Sequence, residues 1–178
     1  MNMRNDPGVA AARITTFIEQ LALQSSPDAV ATVGSLTMRP NVINVIPSQA
    51  TLTLDLRDPD PQVLRNMEIA VSDYFEKIGE QQGVTIEARS LARFEPVDFA
   101  LEIVEKIEAA AKQRQLSSRR MTSGAGHDAQ MMARICPTAI IFVPSRDGIS
   151  HNPREHTEPE QLVAGANVML DVITDLLT

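Results

Sequence analysis

From Ala50 to Arg57 the chain alternates strictly, with Leu52, Leu54 and Leu56 on one side and Thr51, Thr53, Asp55 and Arg57 on the other. A period of two is the signature of a strand, because successive side chains leave opposite faces of the pleat. One face is core and the other is wet, which suits an antiparallel sheet covered on one side only. Val30 to Met38, rich in β-branched residues, reads as the neighbouring strand, joined to it by the proline-punctuated loop Arg39 to Ser48. Two helical stripes bracket this pair. The first runs from Asp6 to about Leu23, with Val9, Ile14, Phe17, Ile18 and Leu21 on one side, Asp6 as cap and Pro7 in the first turn. The second opens at Asp58-Pro59-Asp60-Pro61, carries Leu64, Met67, Val71, Phe75 and Ile78, and is expected to end at Gly79 and Gly83. A third strand is expected from Val84 to Arg93. The order helix, strand, strand, helix, strand predicts an α+β unit, an antiparallel sheet with helices on one face and an edge left for a second copy.

At Phe94-Glu95-Pro96 the pattern changes, which places a domain boundary between residues 1–95 and 96–178. A helix is expected from Phe99 to Gln113 on Leu101, Val104, Ile107 and Ala111, then a glycine turn and a short helix from Asp128 to Arg134. An almost wholly apolar strand, Thr138 to Val143, a polar loop and a last helix from Pro159 to Leu177 complete the chain. This is the rhythm of an α/β layer. A continuous apolar run such as Ala139 to Val143 needs neighbours on both sides, so the second half reads as the incomplete carboxy-terminal part of a larger α/β domain. Exposed apolar surface there should promote association.

The 178 residues carry a formal net charge of -7, and no basic cluster stands out to neutralise phosphate, which argues against a nucleic-acid partner. Arg114, Arg119 and Arg120 read as a solvated helix end and loop. The single cysteine, Cys136, excludes an internal disulfide and a CxxC pair, and its neighbours Met132 and Ile135 suggest a small buried hydrophobe. A reducing cytoplasm is the expected compartment. The first residues hold no apolar run for a signal peptide, and no segment approaches the roughly 20 apolar residues of a membrane span.

Three loops carry unusual residues. Ser123-Gly124-Ala125-Gly126-His127-Asp128 leads small residues into a helix, an arrangement that can turn several backbone N–H groups toward one anion such as a carboxylate; the alternative is a plain turn with Asp128 as the cap. Gly148 to His156 lies after the apolar strand, where α/β layers bind ligands. His151 there is a candidate metal ligand, with Glu155 or Asp128 positioned to fix its tautomer, though one histidine is not a metal site. Thr157-Glu158-Pro159-Glu160 reads as a capping box, leaving His156 structural. The third loop, Asn41 to Pro47, goes with Arg57. Arg57 is either a carboxylate clamp or a partner for Asp55, two residues earlier.

Asn44-Val45-Ile46-Pro47, Asp55-Leu56-Arg57, Ser123 to Ala129, and Gly148-Ile149-Ser150-His151-Asn152-Pro153 with Glu155, after the Met1 to Asp6 segment and an alanine-rich helix, resemble the M20 amidohydrolases in order and spacing. The last two motifs point to the branch of N-carbamoyl-L-amino-acid hydrolases, β-ureidopropionases and allantoate amidohydrolases. The resemblance implies that the first half is a lid or dimerisation domain and the second the end of the catalytic domain. It also implies that His151 is a ligand in a centre of two divalent ions, usually zinc, manganese, cobalt or nickel. Asn44 and Arg57 would bind a substrate carboxylate, with Gly124 and Ala125 helping through their backbone and His127 supporting the site. The implied reaction is hydrolysis of a non-peptide C–N bond in a small ureido acid by a homodimer.

The family's other metal ligands, its glutamate base and its oxyanion-stabilising histidine have no counterpart in this sequence. An isolated chain is therefore expected to be inactive. A non-catalytic dimerising module, and a peptidase or aminoacylase of the same superfamily, are the competing readings.

Overall fold

The computed structural model of the chain describes residues 3–178; Met1 and Asn2, which open the first of the motifs above, lie outside the described residues. The chain separates into two compact units, Met1–Pro96 and Val97–Thr178.

The first unit is built on a two-stranded antiparallel sheet, β1 (Val30–Arg39) and β2 (Gln49–Arg57), with α1 (Pro7–Ser25) and α2 (Pro61–Gln82) on one face. Both helices begin as their sequences dictate. The Asp6 carboxylate accepts from the N–H groups of Gly8 and Val9 at 2.9 and 3.1 Å, and Asp60 does the same for Gln62 and Val63, in each case with proline at the first helical position. The alternation of β2 is realised: Leu52, Leu54 and Leu56 face a core of Ala10, Ile14, Ile18, Val71 and Ile78, joined by Ala31 and Val33 of β1. Phe17 of α1 and Tyr74 of α2 stack with ring centroids 3.9 Å apart. A bulge between Val33 and Ser35 shifts the register, so that Val30 stands opposite Arg57 and Arg39 opposite Gln49.

Two expectations for this unit are corrected. Gly79 does not end α2; it lies inside it, buried, and a Cβ there would come within 3.0 Å of the Val84 carbonyl oxygen. The helix stops instead at Gly83, whose φ of 62° is the left-handed conformation that glycine adopts without a steric penalty. The small Gly79 lets the chain double back across its own helix. The segment from Val84 to Arg93 is not a strand. Val84 and Ile86 are half-buried against the core while Thr85 and Glu87 are exposed, so the alternation is present. A strand also needs a backbone ladder, and among the described residues the sheet contains only β1 and β2.

The second unit comprises α3 (Leu101–Gln113), the short α4 (Asp128–Met132) and α5 (Pro159–Leu177). Helices α3 and α5 pack through Ala110, Ala111, Val168 and Val172, with Ile103, Ile107 and Ile141 against them. The stripe on α3 is thus rotated from expectation: Ile103 takes part and Leu101 is exposed. Arg114 bonds Asp171 across the pair at 2.5 and 2.8 Å, and Lys106 pairs with Asp175. Ala139 to Val143 enters no ladder among the described residues, and Phe142 is exposed. Gly165 on α5 makes room for it, since a Cβ there would sit 2.5 Å from Val143 Cγ1. Cys136 is exposed, contrary to the buried position its apolar neighbours suggested, because Ile135 and Met132 are exposed as well. Among the described residues no helix is long and apolar enough to cross a membrane.

Candidate functional site

Asn44 and Arg57 belong to the first unit. The loop that carries Asn44 turns tightly: the Val45 N–H donates to the Val42 carbonyl at 3.3 Å, and the Ser48 N–H closes the loop on Arg39 O at 2.8 Å. Pro47 anchors its base against α1, within 3.4 Å of where a Cβ on Gly8 would lie. The loop therefore presents Val42, Ile43, Asn44, Val45 and Ile46 outward, all exposed. Among the described residues the Asn44 side chain has no partner.

Arg57 ends β2. Its Nε and Nη2 donate to the two carboxylate oxygens of Asp55 at 2.8 and 2.7 Å, the bidentate fork weighed above as one of its two readings. The pairing holds the Asp55 carboxyl below the usual carboxylate range and raises the Arg57 guanidinium. Both side chains are about half exposed, so the pair is an accessible cation with a local counterion. The register also fixes where the two residues stand. Arg57 is at the far end of β2 from the loop, and eight strand steps place it about 25 Å from the loop's root. One hairpin does not bring Asn44 and Arg57 onto the same carboxylate.

Gly124, Ala125, His127 and His151 belong to the second unit. Asp128 is not the cap of α4. His127 takes that role, its Nδ1 accepting from the Ala129 N–H at 3.0 Å, which fixes the ring and leaves Nε2 as the nitrogen available to a ligand. Gly124 and Ala125 lie in the exposed turn just before it, where the Ser123 hydroxyl donates to the Ala125 carbonyl at 3.1 Å.

The loop around His151 is tightly bent. Asp147, Gly148 and His151 all have positive φ, 57°, 67° and 55°, a conformation that glycine tolerates and a histidine adopts only under local constraint. The constraint is visible. The Glu155 carboxylate accepts from the His151 backbone N–H at 2.8 Å, the Glu155 N–H donates to the Asn152 carbonyl at 2.9 Å, and the Arg146 N–H donates to His156 O at 2.8 Å. Of the two groups expected to fix the imidazole, Glu155 fixes the backbone beneath it and Asp128 makes no bond to it, so the exposed ring has no partner among the described residues. His156 pairs through Nε2 with Glu158, which also accepts from Arg146 at 2.6 Å. Those bonds hold the Glu158 carboxyl below its ordinary range, Arg146 being the larger cause. The expected capping box does not form: Glu158 occupies the cap position with no side-chain bond to the helix N–H groups, and Pro159 has no N–H to satisfy.

Among the described residues no three His, Cys, Asp or Glu side chains come together as a metal cluster. The residues present therefore do not make a metal centre of their own; His151 offers one nitrogen.

An α+β unit with helices on one face of its antiparallel sheet, followed by a unit whose polar loops display an unpartnered imidazole and a turn of small residues, is the class these features define. The chain belongs to peptidase family M20/M25/M40, whose model matches residues 5–175. It is 35% identical over 175 residues to an N-carbamoyl-L-amino-acid amidohydrolase from Rhizobium meliloti, covering 98% of this chain and 42% of that protein. It is 37% identical over 183 residues to an allantoate amidohydrolase from Bacillus subtilis, covering 99% of this chain and 43% of that one. The solved amidase of the hydantoinase/carbamoylase family from Burkholderia vietnamiensis superposes with a TM-score of 0.93 at 37% identity, over 97% of this chain and 42% of that one. The chain thus spans less than half the length of these relatives.

Proposed function

We propose that this chain works as part of a metal-dependent hydrolase of non-peptide C–N bonds, acting on small ureido acids such as N-carbamoyl amino acids or allantoate. The carrying observation is His151: its backbone is locked in a left-handed turn by Glu155, and its imidazole is left open to a ligand. The similarity of nearly the whole chain to carbamoylases and allantoate amidohydrolases supports this substrate class. In this reading residues 1–95 are a lid and dimerisation domain and residues 96–178 the end of a catalytic domain. His151 is then one ligand of a two-ion centre of zinc, manganese, cobalt or nickel. Gly124, Ala125 and His127 line the substrate pocket. The compartment is the cytoplasm, where a lone exposed thiol stays reduced.

The separation of Asn44 from Arg57 supports a homodimer. If both bind one substrate carboxylate, they come from different copies, because an antiparallel pairing of two hairpins sets the loop end of one beside the Arg57 end of the other.

The test is an assay of the purified chain, loaded in turn with each metal, beside the same chain joined to the remaining length of a relative. The isolated chain is expected to be inactive, because its described residues assemble no metal cluster. The joined enzyme is expected to release product from ureido acids and to lose that activity in His151→Ala. Turnover of dipeptides or N-acyl amino acids, with none of ureido acids, would replace this reading by a peptidase or aminoacylase. A joined protein that dimerises, binds no metal and turns over nothing would leave only a binding module.

A further inference from the structure

The tip of the loop between β1 and β2 is apolar where a turn is ordinarily polar. The Val45 N–H donates to the Val42 carbonyl at 3.3 Å, which makes Ile43 and Asn44 the two corners of a β-turn. Such corners favour Gly, Pro, Asn, Asp and Ser, and Asn44 conforms. Ile43 does not. Neither corner has a positive φ; the Ile43 side chain is fully exposed, and Val42 and Val45 beside it are about half exposed. Apolar side chains held together in water contribute nothing to folding and invite a contact. The loop is fixed before any ligand arrives, by the Ser48 N–H on the Arg39 carbonyl at 2.8 Å and by Pro47 against α1.

Resting on the reading above in which Asn44 binds the substrate carboxylate, we propose that Ile43 selects the substrate's side chain, and that the substrates are N-carbamoyl derivatives of aliphatic amino acids. The argument is one of spacing. In an α-amino acid the carboxyl carbon and Cβ both leave one Cα and stand about 2.5 Å apart. Consecutive turn residues stand about 3.8 Å apart at Cα. A ligand whose carboxylate is held by the Asn44 amide therefore carries its side chain over a neighbour in the same turn. The amide, without a partner among the described residues, is one corner, and Ile43 is the other. An apolar surface with one placed polar group is the usual make-up of a small-ligand contact. A side chain of leucine size covers Ile43 and removes both from water, whereas a glycine derivative leaves Ile43 wet. The second ureido group of allantoate would lose its water against a side chain that offers it no hydrogen bond.

The experiment uses the joined enzyme described above, its Ile43→Ser and Ile43→Val variants, and the leucine and glycine derivatives in both the N-carbamoyl and the N-acetyl series, with allantoate alongside. The parent is expected to favour leucine over glycine by about tenfold or more in kcat/KM. Ile43→Ser should reduce that ratio by about tenfold, and Ile43→Val should keep most of it. A parent with no preference for leucine, or one that turns over allantoate best, overturns the inference. So does an Ile43→Ser variant that slows both derivatives alike or lowers the thermal midpoint, because the side chain would then be packing on protein and not on substrate. Turnover of the N-acetyl series alone would overturn the proposed function, while the leucine-to-glycine ratio in that series would still decide the role of Ile43.

Discussion

Arg57 grips Asp55 with two parallel hydrogen bonds of 2.8 and 2.7 Å on the wet face of β2. Because the pair is half exposed, it adds little to folding. Asp55→Asn is expected to change the unfolding free energy by less than about 1 kcal/mol in chemical denaturation. Arg57→Lys should do the same for stability but raise KM for a carboxylate substrate in the joined enzyme by about tenfold or more, since an ammonium lacks the planar fork.

Asp6 anchors the first unit. Burial pushes its carboxyl up, but the Arg4 guanidinium and the N–H groups of Val9 and Gly8 outweigh that and hold it below the usual carboxylate range. A folded-state pKa depressed in this way gives stability that is present above the unfolded value, about 4, and lost as pH falls through the lower folded value. Thermal melting of the chain should show that loss on acidification below pH 4. Asp6→Ala should lower stability at pH 7 by about 1–2 kcal/mol and flatten the acid limb of the profile.

Gly79 and Gly83 make the chain's return after α2 possible for different reasons. Gly83→Ala meets both a positive φ and Asn5 Oδ1 at 2.5 Å, and is expected to cost about 1–2 kcal/mol. Gly79→Ala presses on a backbone carbonyl at 3.0 Å, so a loss of about 1–3 kcal/mol is expected. Denaturation midpoints of the two single variants check both figures.

The second unit exposes Leu162, Val163, Met169, Leu170, Ile173 and Leu177 along α5, with Ile135 and Phe142 beside the apolar run. Contiguous apolar surface of this kind recruits partners. The isolated chain is expected to bind a hydrophobic surface dye and to self-associate, and a dye-silent, monodisperse monomer would contradict that. Gly165→Ala should increase the dye signal, since the added methyl displaces Val143 from α5.

Local sequence was a good guide wherever structure is decided within one turn or one pleat. Asp6-Pro7 and Asp60-Pro61 start their helices because cap and first-turn proline act over three residues. The alternation in β2 became a core face and a wet face without exception. Val84 to Arg93 and Ala139 to Val143 have strand composition but lack a ladder, because pairing depends on what lies alongside and periodicity carries no such information. The site divided in the same way. The motif set Glu155 beside His151, but not that its carboxylate would hold the His151 backbone N–H in place of the ring, and His127 as the α4 cap was missed because Asp128 is the more usual capping residue.

By itself the sequence determined the family, the two-unit order, the sheet with one wet face, and the loops that hold His127 and His151. Each of these follows from residue types at fixed short spacing. Only the tertiary structure decided that Asn44 and Arg57 stand at opposite ends of one hairpin, that Arg57 is held by Asp55, and that β1 offers an uncharged edge between Asp28 and Arg39. The first relation is settled when the strands pair, and the second when two side chains on one wet face meet each other and not a ligand.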